Sequence, residues 1–550
     1  MPPHESARRR SAVLRAVLIV VLAGTVNASL WAQQGRSTNA ATQATRPDDL
    51  PAPLVSASYE VDVDEPAEEV LPTGYAAGDF ADTAERVIAD LTKRLSDVEK
   101  QLKKRDEADA KKAAEFPTLK VTGFLQLDSA VYSQDPLNIA TVGRAQNGTG
   151  FRRARLAMQG KVAEFTSYQL EIDFAAAGRP SFFDNYVEQA NIPYLGTVRA
   201  GQYCQPFSVD ALTGFRNLTF LERSLPFLAL VPFRRVGVSS ANQTEDGSTA
   251  WTYSFFRTGG FNNAPLGDSR YATDFGNVGG FSFSTRVTHL LQYEEDTDDR
   301  YLWHIGGSYD YSRLGADNAI GSGTSGNAGS PRPFYQARTT PEFGVLGYPE
   351  NGSTFGPATG AVNGTPNFVD TGRYLANSFN MFGVETVYQN GPWGATAEYI
   401  ATVVDSAVGP ITYQGGSGFV TYRLTGEHRA YDKKTGTLGK LVPFADFIPL
   451  DGSVRGWGAW EVSGRYSIID LRNPSSLSGH YYDSTTNTFT ASATKGAAGN
   501  GVLQDTTVGV TWFLNSYTKV QFNWIHAMLN NTAKGYSTAD LYVSRVQVDF

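Results

Sequence analysis

The sequence predicts an all-β protein: a sixteen-stranded antiparallel transmembrane β-barrel with a short N-terminal helical coiled-coil segment. Three observations carry this. The chain opens on a cationic, apolar leader, a period-two alternation starts near Thr118 and recurs to the end, and the last strand finishes on Phe550. Aromatic residues make up 12% of the chain while the mean hydropathy is −0.28. A barrel gives this mixture, because lipid-facing and lumen-facing residues alternate along each strand. A large secreted all-β protein has a similar composition, so composition alone does not decide.

Residues 1–32 read as a signal peptide. Arg8, Arg9, Arg10 and Arg15 supply the positive start, and the apolar run from Ala12 to Val26 is short for a membrane-spanning helix. Val26-Asn27-Ala28 offers a cleavage site, with Ala32 the second choice. An uncleaved anchor is the alternative. Residues 33–80 lack sustained periodicity and read as a disordered, acidic linker: Asp48 to Glu85 contains eleven acidic residues and no basic one. Residues 81–115 then change character. Ile88, Leu91, Leu95, Val98 and Leu102 are spaced 3, 4, 3 and 4, an a/d heptad seam extended backwards by Ala84 and Ala81. Joined to an oligomeric barrel, such a seam forms a short stalk; a solitary amphipathic helix is the bland reading.

From Thr118 the period is two. Leu119, Val121, Leu125 and Leu127 share one face, and Lys120, Thr122, Gln126 and Asp128 the other. Ala154, Leu156, Met158, Gly160 and Val162 oppose Arg153, Arg155, Gln159 and Lys161. Tyr168, Leu170, Ile172 and Phe174 oppose Gln169, Glu171 and Asp173. The rows Val508-Val510-Trp512-Leu514 and Val520-Phe522-Trp524 repeat the pattern. A one-sided soluble sheet alternates too, so the C-terminus tips the balance. There Tyr542, Ser544, Val546, Val548 and Phe550 face away from Val543, Arg545, Gln547 and Asp549. That ending resembles the signal read by the outer-membrane barrel-assembly machinery. Residues 312–372 and 473–503 have the composition of external loops, and Asn390-Gly391-Pro392 that of a short periplasmic turn. Residues 117–550 give roughly 27 residues per strand and connection for sixteen strands, an even number as bacterial barrels require.

Charge and chemistry exclude several classes. Residues 117–550 hold 32 basic against 36 acidic residues, so no nucleic-acid partner is expected. Cys204 is the single cysteine, and six histidines show no metal-ligand spacing. No disulfide, metal site, cofactor or catalytic constellation is expected, and Gly321-Ser322-Gly323 is loop composition rather than a nucleotide fingerprint.

At Gly456-Trp457-Gly458-Ala459-Trp460-Glu461, continuing Val462-Ser463-Gly464-Arg465-Tyr466-Ser467, the sequence resembles the phosphate-selective porin O and P family. Phe151-Arg152-Arg153-Ala154-Arg155-Leu156 looks like that family's arginine-rich second strand. Gly201-Gln202-Tyr203 with Pro206-Phe207 looks like its entry into a constriction loop. Leu221-Glu222-Arg223-Ser224 and Arg234-Arg235-Val236-Gly237-Val238 follow in that loop and its exit. Leu424 to Tyr431 and Gly509 to Asn515 match further segments, so the resemblance spans roughly 117–550. It implies a trimeric, sixteen-stranded bacterial outer-membrane channel for small anions such as phosphate or polyphosphate. Cys204 departs from it, standing where many members carry a basic residue.

Guanidinium suits phosphate because its donor fork matches two oxygens and its charge does not titrate. Alternation places Arg153 and Arg155 on the lumen face as rungs of a ladder, with Arg152 near the strand end, and Arg286 also faces the lumen. Arg216, Arg223, Arg234 and Arg235 lie in or beside the expected constriction loop. These eight are the candidate anion-binding pore residues. Glu427 with Arg429 and Glu461 with Arg465 read as wall-bracing pairs on two strands, and Glu222 as a loop anchor. The apolar run Leu225 to Phe233 suits a loop packed inside the wall, a lipid-facing strand being the alternative. Rival functions are a general non-selective porin, an envelope-tethering structural barrel and a barrel enzyme built around His526.

Overall fold

A computed structural model describes 92–98, 100, 101 and 104, and residues 116–550 except 176–180, 233, 259–279, 296–298, 315–333, 345–363, 373, 407–408, 450–454, 473–480, 484–487 and 491–500. The expected signal peptide and acidic linker lie outside the described residues. Of the expected coiled coil, 92–98 is helical, with Leu95 and Val98 exposed.

Sixteen antiparallel strands among the described residues form the barrel: β1 (Lys120–Gln134), β2 (Gly148–Ala163), β3 (Thr166–Asp173), β4 (Ser181–Ile192), β5 (Gly196–Cys204), β6 (Arg234–Gln243), β7 (Thr249–Thr258) and β8 (Gly280–Tyr293), then β9 (Tyr301–Arg313), β10 (Tyr374–Asn390), β11 (Trp393–Ser406), β12 (Gly409–Arg423), β13 (Ala459–Asp470), β14 (Gly501–Phe513), β15 (Thr518–Asn531) and β16 (Gly535–Asp549). Each pairs with its sequence neighbours, and β1 closes on β16 from Phe124↔Asp549 to Gln134↔Ala539. Closure leaves no open edge, the condition for crossing lipid with strands. Among the described residues no helix is long and apolar enough to cross a membrane.

The face that is apolar is the face that is exposed. On β1, Leu125 and Leu127 are 40% and 41% exposed while Gln126 and Asp128 are buried inside the barrel. On β16, Tyr542, Val546 and Val548 point out while Arg545 and Gln547 are buried. A soluble one-sided sheet would bury the opposite set, so the alternation belongs to a lipid-facing belt.

Connections sort by end. Two-residue turns such as Gly391-Pro392 join strands at the end where β1 begins and Phe550 lies, and Gly391 adopts φ 56 there, which glycine takes without a Cβ clash. That is the periplasmic end, where barrel turns are short. The other end carries 135–147, 205–232 and the described pieces 334–344 and 364–372, while the connection 424–458 is a long exception on the periplasmic side. A correction concerns Glu427 and Arg429. They do not share a barrel strand: both lie in the 424–458 connection on the periplasmic side, where Arg429–Asp432 pairs with Thr437–Leu441 as a small hairpin. Their alternation is that of a hairpin inside the lumen, which period alone does not separate from a barrel strand.

The closing strand ends in a fitted contact. Phe550 exchanges backbone hydrogen bonds with Gly123 at 2.8 and 3.0 Å, and its ring covers the glycine. A Cβ on Gly123 would stand 2.3 Å from that ring and 2.5 Å from the Arg155 carbonyl oxygen. Gly123→Ala is therefore expected to destabilise the barrel by about 1–3 kcal/mol. The check is the temperature at which the heat-modifiable gel band shifts to the unfolded position; an unchanged temperature would contradict the packing argument.

Candidate functional site: the lumen

Three segments fold inward. The first is 205–232, which contains the helices α1 (Val209–Leu212) and α2 (Leu225–Leu230) and a 3-10 turn at Phe215–Asn217. The second is the pair of pieces 334–344 and 364–372 from the long external loop. The third is the periplasmic hairpin. Phe207, Leu221, Leu225, Ala229 and Leu230 of the first are buried at 1% or less. They join Tyr335, Phe343 and Phe368 of the second and Ile400, Ile411, Ile469, Leu503, Ile525 and Leu541 of the wall in one apolar cluster. Each such side chain contributes roughly 1.5–3 kcal/mol by leaving water. The external half of the lumen is thus a packed core, and the Leu225–Leu230 run is a helix inside it rather than a lipid-facing strand.

Buried charged residues line the lumen beside this core, and Glu222 is the centre of the largest cluster. Its carboxylate accepts from Arg153 at 2.8 Å through both oxygens, from Arg152 at 3.1 Å and from Arg545 at 2.8 Å. Burial pushes this carboxyl up, but the guanidiniums of Arg152, Arg153 and Arg545 override that and hold it well below the usual carboxylate range. Arg152 reaches Glu222 because the β1–β2 register slips between Gln126↔Arg153 and Leu127↔Phe151. It is the extra residue of a β-bulge, and a bulge re-aims a side chain. Arg545 also grips Asp128 at 2.7 Å through two nitrogens.

The other sequence-predicted arginines are placed as follows. Arg155 pairs with Asp173 at 2.8 Å and Glu171 at 3.3 Å and lies over the Phe183 ring at 3.6 Å. Arg223 donates to the backbone carbonyls of Asp210, Ala211 and Thr213, tying the loop to itself. Arg234 forms a two-nitrogen pair with Asp184 at 2.7 and 2.9 Å, and Arg235 is buried beside it, opposite Tyr203 on β5. Cys204, opposite Arg234, directs its thiol to the Ala211 carbonyl at 3.9 Å. Arg286 pairs with Glu385 and donates to the carbonyls of Thr435 and Gly436 at the hairpin tip. That tip is held further by Tyr431 to His304 at 2.8 Å, by the Tyr431 amide to Asp299 at 2.8 Å and by Gln389 to the Arg429 carbonyl at 2.8 Å.

Glu461 sits between Arg423 at 2.9 Å and Arg429 at 2.7 Å. Arg429 also donates to the Asn217 carbonyl, joining hairpin to inward loop. Arg465 donates to Glu342 and to the Glu222 carbonyl, so its partners are loop residues rather than Glu461. Glu427 accepts from Thr425 and from the Phe444 amide at 3.2 Å.

Arg216 differs from the rest. Its guanidinium lies 4.9 Å from the Phe124 ring, and it forms no ion pair among the described residues. Around it a cavity opens towards the periplasm, lined also by Lys440, Lys519, Arg429, Asp549 and Gln547. Lys519 donates to the Arg216 and Leu218 carbonyls at 3.0 and 3.4 Å. Lys440 lies 4.4 Å over the Tyr517 ring. Burial pushes the Lys440 ammonium below its ordinary value; Asp549 opposes that shift and Arg216 adds to it. Lys519, Lys440, Arg423 and Glu342 escaped the sequence reading. Lys519 is on the lumen face of β15 by alternation and was legible there. Lys440 and Glu342 sit on inward segments, where no period marks which side chains converge.

A closed barrel with a lipid-facing belt, charged residues in its lumen and a loop folded inward defines a membrane pore protein. A family model described as phosphate-selective porin O and P matches residues 120–338 and 352–550, and the chain belongs to that family. It is an outer-membrane porin channel, not an enzyme. Among solved structures, the chain is similar to a loop L8 deletion mutant of OmpT, an outer membrane protein of Vibrio cholerae, at 11% identity and TM-score 0.42, covering 79% of this chain and 99% of that one. It is also similar to the outer membrane channel DcaP of Acinetobacter baumannii, at 10% identity and TM-score 0.41, covering 79% and 97%. No curated protein matches the sequence.

Proposed function

We propose that this porin passes small anions by passive diffusion, with phosphate or polyphosphate as candidate solutes. The observation that carries the reading is the pair Arg216 and Lys440 at the periplasmic cavity, two half-buried cations with no ion-pair partner among the described residues against one carboxylate, Asp549; Lys519 beside them is buried and donates to the Arg216 and Leu218 carbonyls. Of the eight arginines singled out in the sequence, Arg216 is the one assigned here to the solute. Arg152, Arg153, Arg155, Arg223, Arg234 and Arg286 are assigned to holding the inward segments, since each already donates to a carboxylate or carbonyl, and Arg235 is buried in the wall. Conduction needs attraction that is weak enough to release, and half-hydrated cations beside an opening meet that need better than guanidiniums locked to carboxylates.

Reconstituted protein in a KCl gradient tests the reading. Chloride is expected to be the more permeant ion, and added phosphate to reduce chloride current. Equal cation and anion permeability without phosphate block would leave the general-porin reading. The same proposal includes a homotrimer, with 81–115 as a coiled-coil stalk and the Phe550 strand as the segment read during assembly. Crosslinking that traps only monomers would remove the trimer and the stalk together.

A further inference from the structure

The connection between β12 and β13 has two parts. Residues 429–441 enter the lumen. We infer that the second part, of which 442–449 and 455–458 are described, is a flap that lies on the inner-leaflet surface of the membrane and is covered by phospholipid.

The flap is pinned to the barrel rim. The Phe447 and Ile448 amides donate to the Leu514 carbonyl at 2.7 and 3.2 Å, and Asn515 donates to the Ile448 carbonyl at 3.1 Å. Its two halves run side by side through Gly456 to the Asp446 carbonyl at 2.7 Å and Gly458 to the Ala445 carbonyl at 3.0 Å. With the backbone so held, the apolar side chains face outward. Trp457 is 81% exposed and Phe444 70%, with Val442 and Ile448 about half exposed. A patch of this kind facing water would be a liability.

Continuity with the lipid belt names the occupant. Trp460 and Trp512, at the periplasmic ends of β13 and β14, stack at 4.9 Å with an interplanar angle of 17°. Both indoles donate to the Trp457 carbonyl, at 3.2 and 2.9 Å. Phe447 packs on Trp512 at 4.5 Å. The exposed flap residues are thus an extension of the tryptophan girdle, which sits at headgroup level. Arg455 supplies the matching charge: its exposed guanidinium lies 3.9 Å over the Phe447 ring, placed to meet a lipid phosphate while its stem covers apolar surface. A flap embedded this way fixes the outer end of the same connection whose inner end narrows the pore.

Site-directed spin labelling of the full chain tests this. In a Cys204→Ala background, Phe444→Cys, Ile448→Cys and Trp457→Cys are labelled singly and the protein is placed in phosphatidylethanolamine–phosphatidylglycerol vesicles. Tyr399→Cys serves as the belt control and Glu295→Cys as the aqueous one. Labels at 444, 448 and 457 are expected to collide more with oxygen than with a water-soluble nickel chelate, as at 399 and opposite to 295. Nickel-chelate access equal to that at 295 would overturn the proposal. So would dipolar broadening between labels of different chains, which would assign the surface to a second copy. Folding of each variant is read independently from the heat-modifiable gel band, and any one of the three that folds suffices for the test.

Discussion

Glu222→Gln is expected to loosen the constriction of this pore and to lower the stability of the folded barrel by about 3–5 kcal/mol, the usual cost of removing one partner from a buried ionic cluster. The argument is one of charge balance. Three guanidiniums converge on one carboxylate, and an amide of the same shape restores the volume but not the charge. Asp128 still holds Arg545, and Gln126 still accepts from Arg153 at 2.8 Å, so the loss falls at the lower end of the range. Urea unfolding in vesicles should show the lower midpoint, and single-channel records should show larger and noisier conductance as residues 205–232 gain freedom. The pH dependence has a definite sign. A carboxyl depressed in the folded state contributes stability that is complete above its unfolded value and is lost as pH falls through its folded value. Because Glu222 lies well below the ordinary range, acidification through that range should leave the clamp closed, and it should open only below it. The glutamine variant should lack this acid-dependent component. A Gln variant with unchanged midpoint and conductance would show that the arginines are compensated elsewhere.

The barrel was legible in the sequence because its cause is local. Each strand must present one face to lipid and one to the lumen, and period two records that directly, as the Tyr542 and Arg545 rows of β16 illustrate. The inward segments were legible only in part. Leu225–Phe233 announces itself by hydrophobicity in a chain whose other loops are polar. The long connection 424–458 gave no such sign: the alternation Glu427, Arg429, Tyr431 is the same whether a hairpin stands in the wall or inside the lumen. The role of each arginine was hidden for a different reason. Alternation tells that Arg153 and Arg155 face inward, but whether a guanidinium meets solute or a carboxylate depends on long-range partners. Glu222 meets Arg153 across 69 residues and Arg545 across 323. Arg152 was further masked by a bulge, which flips one residue without any change in composition.

Arg216→Glu is expected to abolish anion preference. Arg216, Lys440 and Lys519 line one cavity with Asp549 as its carboxylate. A unit charge about 6 Å from a passing monovalent ion changes its energy by about 1–3 kcal/mol for effective dielectric constants between 80 and 20. Arg216→Ala should therefore lower the chloride-to-potassium permeability ratio by roughly tenfold at low salt, and by less at physiological ionic strength, where screening acts over about 8 Å. Arg216→Glu changes the charge by two and sets a second carboxylate beside Asp549, so the ratio should fall to near parity. Lys440 adds a pH signature. Its ammonium is held below the ordinary lysine value, first by burial and then by Arg216. As pH rises, wild-type selectivity should begin to decline before ordinary lysines titrate, because one of the two half-exposed cations, Lys440, discharges early. Removing Arg216 relieves part of the repulsion on Lys440, so in Arg216→Ala that alkaline decline should move to higher pH. This shift separates a shared electrostatic site from two independent charges: reversal potentials that fall at the same pH in both proteins would mean that Arg216 and Lys440 do not act on the solute together.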